Sequence, residues 1–356
     1  MRIDRLRFLV AVLCVASSCT ASAGELSSAL KTGDGAAARA LLAERADAND
    51  ADADGTTALH WAVHHGDAEL AKTLLDAGAK ADARNRYGVP PLTLAAENGD
   101  AAMTRLLLAR GADANTALPE GETALMTAAR TGDTATLDVL IENGARIDER
   151  EKWKGQTALM WAAHENNAAA IRTLLAAGAE RDARSAAGEL SALTFAVRAG
   201  AVEATRALLD AGADPNEALL DGTSALVLAA TNAHYEVAAL LLERGADPNA
   251  AAQGWTALHQ VAWSRRWNMG FNLPGPSQTG HLDSLELVRQ LVAKGADIDA
   301  RQTKEPADGN RNKLDRLGAT PFVLAAKSCD LPLMRTLLDL GADASLTTNA
   351  GTTALM

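Results

Sequence analysis

A glycine that returns about every 33 residues constrains this chain more than any other feature. It stands at Gly55, Gly88, Gly121, Gly155, Gly188, Gly222, Gly254, Gly318 and Gly351, at spacings of 33, 33, 34, 33, 34, 32, 64 and 33 residues. A fixed period of that size marks an array of stacked units, each too small to bury its apolar face alone. Residues 155–184 are one whole copy and read as two short helices. Thr157 places a side-chain oxygen ahead of an apolar run, where a helix start needs an acceptor for its free N–H groups. Thr57, Thr123, Ser191, Ser224, Thr256, Thr320 and Thr353 occupy the same place.

Two residues further on, Leu159 supplies a buried anchor, matched by Leu59, Leu92, Leu125, Leu193, Leu226, Leu258, Phe322 and Leu355. Three residues later comes alanine, as at Ala62, Ala95, Ala128, Ala162, Ala196, Ala229 and Ala325, small enough for neighbouring helices to approach closely. A second helix ends in a Leu-Leu-like pair such as Leu74-Leu75 or Leu174-Leu175. Gly-Ala then stops it, since glycine tolerates the left-handed conformation of a helix C-terminus.

The tetrapeptides Thr57-Ala58-Leu59-His60 and Thr256-Ala257-Leu258-His259, with Gly111-Ala112-Asp113, Gly212-Ala213-Asp214 and Gly245-Ala246-Asp247, resemble the ankyrin repeat over roughly residues 25 to 356. The resemblance implies an all-α solenoid of stacked helix pairs with projecting β-hairpin fingers. It also implies a concave face, lined by finger tips and first-helix ends, that grips partners. Pro90 departs from the pattern by replacing the capping Thr, and the eighth unit departs by its length.

The chain opens on a basic segment, Met1 to Arg7, followed by an apolar run from Phe8 to Ala16 and a small-residue stretch to Ala23. That apolar run is far shorter than the ~20 residues of a membrane span, so the segment reads as a secretory signal cleaved after Ala23. Lipidation at Cys19 is the rival reading, disfavoured because Ala16 stands where a large aliphatic residue is preferred. Residues 24–356 carry 31 Lys and Arg against 44 Asp and Glu, a formal charge of −13 where the full chain has −11. Such a surface repels nucleic-acid phosphates and anionic lipid heads. Of three cysteines, Cys14 and Cys19 lie in the leader, so Cys329 alone would remain and no intrachain disulfide is expected.

Residues 24–53 read as a degenerate capping unit, 54–253 as six regular units, 254–317 as an enlarged unit, 318–350 as a ninth unit, and 351–356 as the start of a tenth. That last stretch opens a first helix and stops one turn in, from which a fragment of a longer protein is expected. The excess in unit eight falls at about 264–280, between its two helices, and at about 302–316, in the next hairpin. Long loops in a compact array tend to be functional or disordered. The first carries Trp263, Trp267 and Phe271 in a chain that is 3% aromatic, and is expected to fold over the groove with Arg265, Arg266 and Trp267 facing a partner.

Variation in the array falls on the finger tips and the first-helix ends. The partner-binding candidates are therefore Tyr87, Arg130, Trp153, His164, Arg198, Trp255, Trp263, Arg265, Arg266, Trp267 and Phe271. Trp61 and Trp161 fall where the family places leucine, so core packing is their expected role. Cys329 aligns with Gly66, Gly99, Gly132 and Gly200 at a turn suited to positive φ.

Metal sites are not expected. His60 and His64 share a helix face, but His60 occupies the repeat's own histidine position. The acidic run Asp50, Asp52, Asp54 before Gly55 lacks the bidentate acid a calcium loop needs, Trp61 standing in its place. No phosphate loop, cysteine pair with metal spacing or nucleophile elbow occurs. No cofactor is expected, and the reading is a non-catalytic, exported module for a protein or peptide partner. The alternative is the recognition arm of a larger exported enzyme whose catalytic domain lies beyond residue 356.

Overall fold

The computed structural model describes residues 24–265, 278–305 and 316–355. The expected signal at 1–23, with Cys14 and Cys19, lies outside the described residues, as do the middles of both insertions. Among the described residues there are eighteen helices in nine successive pairs. Units one to three hold α1 (Glu25–Lys31) and α2 (Gly35–Ala43), α3 (Ala58–His64) and α4 (Ala68–Asp76), and α5 (Pro91–Glu97) and α6 (Ala101–Ala109). Units four to six hold α7 (Ala124–Thr131) and α8 (Thr134–Glu142), α9 (Ala158–His164) and α10 (Ala168–Ala176), and α11 (Ala192–Ala199) and α12 (Val202–Asp210). Units seven to nine hold α13 (Ala225–Thr231) and α14 (Tyr235–Glu243), α15 (Ala257–Ser264) and α16 (Ser284–Ala293), and α17 (Pro321–Lys327) and α18 (Leu331–Asp339). First helices pack side by side in one row from α1 to α17, and second helices in another from α2 to α18.

Helices of seven to ten residues are too short to be stable alone, so burial of their faces holds them. Ala62, Ala95, Ala128, Ala162, Ala196, Ala229 and Ala325 are each 0% exposed. A larger side chain there would push the first-helix row apart. Thr123, Ser191, Ser224 and Thr320 accept hydrogen bonds from backbone N–H groups three residues on. Thr157 makes no such bond. Aspartate starts the second helices in the same way: Asp34, Asp67, Asp100, Asp133 and Asp330 accept from N–H groups three residues on. Pro90 lacks a capping side chain, and the Pro91 ring, fixed at helical φ, opens α5 instead.

Buried histidines lock finger to helix. His60 Nδ1 accepts the Thr57 backbone N–H at 3.1 Å, which leaves the ring proton on Nε2 to donate to the Val89 carbonyl of the next unit at 2.9 Å. His259 repeats this with Thr256 and, 60 residues on, with the Ala319 carbonyl. Asn115 clamps Gly144 O and Arg146 N, and Asn249 clamps Gly295 O and Asp297 N in the same way, 46 residues from the glycine instead of 29. Units eight and nine therefore keep the stacking register across both insertions.

The fingers are turns with little strand pairing: isolated antiparallel bridges join Ala51 to Thr57, Ala117 to Thr123 and Ala218 to Ser224. Backbone bonds link one finger to the next, as from Lys152 N to Glu120 O at 2.7 Å. Gly155 sits at φ 66°, where a Cβ would come within 2.7 Å of Ala186 in the following finger. The turn between helices also demands positive φ, filled by Gly66, Gly99, Gly132 and Gly200 but also by Asn166, Ala233 and Cys329. In the tenth unit Ala354 and Leu355 form a turn and not the expected first turn of a helix; Leu355 is 98% exposed. The acids before Gly55 are occupied locally. Asp50 accepts the Leu26 and Ser27 N–H groups, Asp52 takes the Trp61 indole N–H, and Asp54 takes the Thr56 N–H.

Candidate functional site

Where the fingers of units four and five stand over the ends of α7, α9 and α11, the stack leaves a cavity of about 530 Å³. Its floor is Met160, Trp161 and Phe195, from two neighbouring first helices. Glu120, Glu122, Glu151, Trp153, Lys154 and Gln156 form a finger wall. Arg130, His164, Glu165 and Arg198 form the opposite wall of helix ends.

Asparagine and histidine side chains hold the helix ends in place. Asn167 Nδ2 donates to the Ala129 and Arg130 carbonyls of the preceding unit at 3.0 and 2.8 Å. His234 Nε2 reaches the Arg198 carbonyl at 3.1 Å. These bonds satisfy carbonyls a helix end leaves open and fix where Arg130 and Arg198 leave the backbone.

On the finger wall, Glu151 is only 6% exposed. Its carboxylate accepts the N–H groups of Trp153, Lys154 and Gln156 at 2.6, 2.7 and 3.0 Å. Burial pushes that carboxyl up, but donation by Gln156, Trp153 and Lys154 outweighs it and holds the group below its ordinary range. The turn so tied presents Trp153, 81% exposed, with Lys154 Nζ 4.3 Å from its ring centroid. The Arg130 guanidinium lies 6.0 Å from the Trp161 ring and 4.0 Å from Glu97. Glu122 accepts the Thr127 hydroxyl at 2.9 Å.

Four residues expected at a partner surface, Arg130, Trp153, His164 and Arg198, line this one cavity. Tyr87 is 58% exposed on an earlier finger, its hydroxyl accepting from Arg86 Nη2 at 2.9 Å. Trp255 is half-buried against the core. Trp263 packs on the core beneath Arg316 and Lys327, whose charges lie 4.2 and 4.8 Å from its ring. Arg265, expected to face a partner, points inward: its Nε lies 2.7 Å from Asp330 Oδ2 and its Nη1 donates to Ser284 Oγ. A buried carboxylate one unit away offers that guanidinium more than solvent does. Arg266, Trp267 and Phe271 lie outside the described residues. The described end of the insertion is anchored on unit seven, where Thr279 Oγ1 meets His234 Nδ1 at 2.8 Å and Glu236 accepts the His281 N–H at 2.7 Å.

The sequence reading missed Trp161. Trp61 does pack on the core as expected, with its indole N–H on Asp52 at 3.2 Å. Trp161 forms part of the cavity floor instead. A signal was available: Trp161 and Phe195 hold the same repeat position one unit apart, so two aromatics meet on adjacent helices. Glu151 was missed as well, because its burial depends on the turn it closes. His60 has both ring nitrogens engaged, and His64 lies against Trp61 with ring centroids 6.0 Å apart. Among the described residues no three His, Cys, Asp or Glu side chains cluster as metal ligands, and no helix is long and apolar enough to cross a membrane.

The family model for ankyrin repeats in three copies matches residues 26–117, 92–185, 170–252 and 193–270, and the model for the single ankyrin repeat matches 253–302. The search of curated proteins finds no match. Among solved structures, the ankyrin repeat domain of human ASB11 is similar at 24% identity and a TM-score of 0.56, over 72% of this chain and 99% of that one. That likeness is one of fold.

Proposed function

Because the chain belongs to the ankyrin-repeat family, whose repeats are protein–protein interaction modules, we propose that it is a non-catalytic receptor for a protein or peptide segment, bound on the concave face of units four to six. One observation carries the reading: the aromatic-floored cavity between the fingers and the helix ends. An apolar floor with a few convergent polar groups is the usual form of a binding cleft. Exposed tryptophan and arginine are the residue types that dominate interface energetics. The basic and apolar leader supports an exported location, with removal of residues 1–23 by a signal peptidase.

The test is capture by the intact protein beside a Trp153→Ala, Trp161→Ala double variant, with circular dichroism to show that both stay folded. A partner held by the first and lost by the second is the expected outcome. Equal retention by both would move the binding surface elsewhere. N-terminal sequencing of the natural protein tests export: a mature chain beginning at Gly24 is expected, and retention of residues 1–23 would refute it.

A further inference from the structure

We propose that the cavity takes an acidic segment in the polyproline II conformation, running across units four to six with a carboxylate at every third residue. The inference rests on the binding reading above and specifies the chemistry of the occupant. It starts from register. Arg130, His164 and Arg198 stand at one repeat position, 34 residues apart, at the ends of helices that pack side by side. All three line the same cavity. Packed helix axes lie about 8–10 Å apart, so the three side chains form a ladder with rungs at that spacing.

A polyproline II segment advances ~3.1 Å per residue with three residues per turn, so side chains i, i+3 and i+6 leave one face at steps of roughly 9 Å. That period matches the ladder. A β-strand does not match, because its like-facing residues recur every second position, at about 6.6 Å. The unpaired backbone of polyproline II and its flat side-chain faces also suit the floor of Trp161, beside which the exposed Trp153 stands.

The separation of charge across the cavity decides the sign: Glu120, Glu122 and Glu151 stand with Lys154 on the finger wall, and Arg130, His164 and Arg198 stand with Glu165 on the helix-end wall. Glu151 keeps its charge while accepting three backbone N–H groups, as Glu122 does while accepting the Thr127 hydroxyl, and those bonds hold both carboxylates on the finger wall. Arg130 has Glu97 only at 4.0 Å, and among the described residues neither Arg198 nor His164 makes an ion pair. Glu165 is exposed beside His164. Two guanidinium groups at the ends of the ladder and an imidazole donor between them therefore remain for ligand carboxylates. The formal charge of −13 on residues 24–356 acts against an anionic ligand at long range. At 0.15 M salt, however, screening sets in over about 8 Å, so the groups nearest the ligand carboxylates, those of the helix-end wall, weigh most.

The probes are three fluorescein-labelled proline-rich nonapeptides bearing glutamate at positions 1, 4 and 7, glutamate at 1, 3 and 5, or lysine at 1, 4 and 7. Fluorescence anisotropy against the intact protein reads the dissociation constant. The first peptide is expected to bind at least tenfold tighter than either of the others, with Arg198→Gln weakening it about tenfold and Trp161→Ala abolishing it. Equal affinity for the 1,3,5 peptide overturns the conformation, and equal or better binding of the lysine peptide overturns the charge. Failure of all three peptides overturns the proposal. The broader reading falls separately, if the tryptophan double variant captures its partner as well as the parent does.

Discussion

Methionine in place of Arg265 removes the cation from Asp330 and keeps most of the side-chain volume. Asp330 is 1% exposed and Arg265 18%, with contacts of 2.7 Å to Oδ2 and 3.4 Å to Oδ1. In the variant the carboxylate keeps its Leu333 N–H at 3.2 Å and loses its only ion-pair partner among the described residues. Stripping one member from a buried pair costs about 3–5 kcal/mol, whereas an exposed pair is worth about 0–1 kcal/mol. Arg110 and Asp76 make the comparison, at the same 2.7 Å but with side chains 32% and 55% exposed. Arg265→Met should therefore destabilise units eight and nine by about 3 kcal/mol, and Arg110→Met its own neighbourhood by under about 1 kcal/mol. Adding Asp330→Asn should restore part of the loss, since an amide still caps α18 without a buried charge. A stack of nine units does not melt as one two-state body, so hydrogen exchange by segment is the proper assay. Arg265→Met should lower protection of α17 and α18 about a hundredfold while α3 to α6 keep theirs. Unchanged protection in α17 and α18, or a loss spread evenly along the chain, would refute the reasoning.

Ala162→Glu puts a carboxylate at a fully buried contact between first helices; it should cost about 4 kcal/mol or more and open the stack at unit five, and an unchanged thermal melt would contradict the packing. Burial lowers the His259 pKa to about 4, opposed by the Ala319 carbonyl, so its stabilisation is fully present above the unfolded value near 6.5 and is lost as pH falls from there to about 4. That difference amounts to about 3 kcal/mol; urea midpoints should fall across this window, and His259→Gln should flatten the fall, whereas parallel pH curves for parent and variant would argue against it. Cys329 adopts φ 51°, so Cys329→Gly trades a left-handed penalty of about 1–2 kcal/mol against the entropy of glycine and should gain about 0.5–1 kcal/mol at unit nine. No gain in local exchange protection would mean that the turn is not strained.

Most of the architecture was legible because it repeats. The glycine period, the capping Thr or Ser, the anchoring Leu and the buried Ala are local features, and each recurrence confirms the others without any knowledge of which residues meet. The same register put Arg130, His164 and Arg198 on one face, because equivalent positions in a stack must share it, and Trp153 was legible as a finger tip. What only the tertiary structure decided concerns side chains whose surroundings come from elsewhere in the chain. Arg265 meets Asp330, 65 residues away, so no reading of its own loop shows that it points inward. Trp61 and Trp161 occupy one repeat position, yet an aspartate takes the indole N–H of the first while the second forms part of a cavity floor. A repeat sets the backbone position of each residue, and what lies across the gap from it sets whether that residue is core, tether or contact.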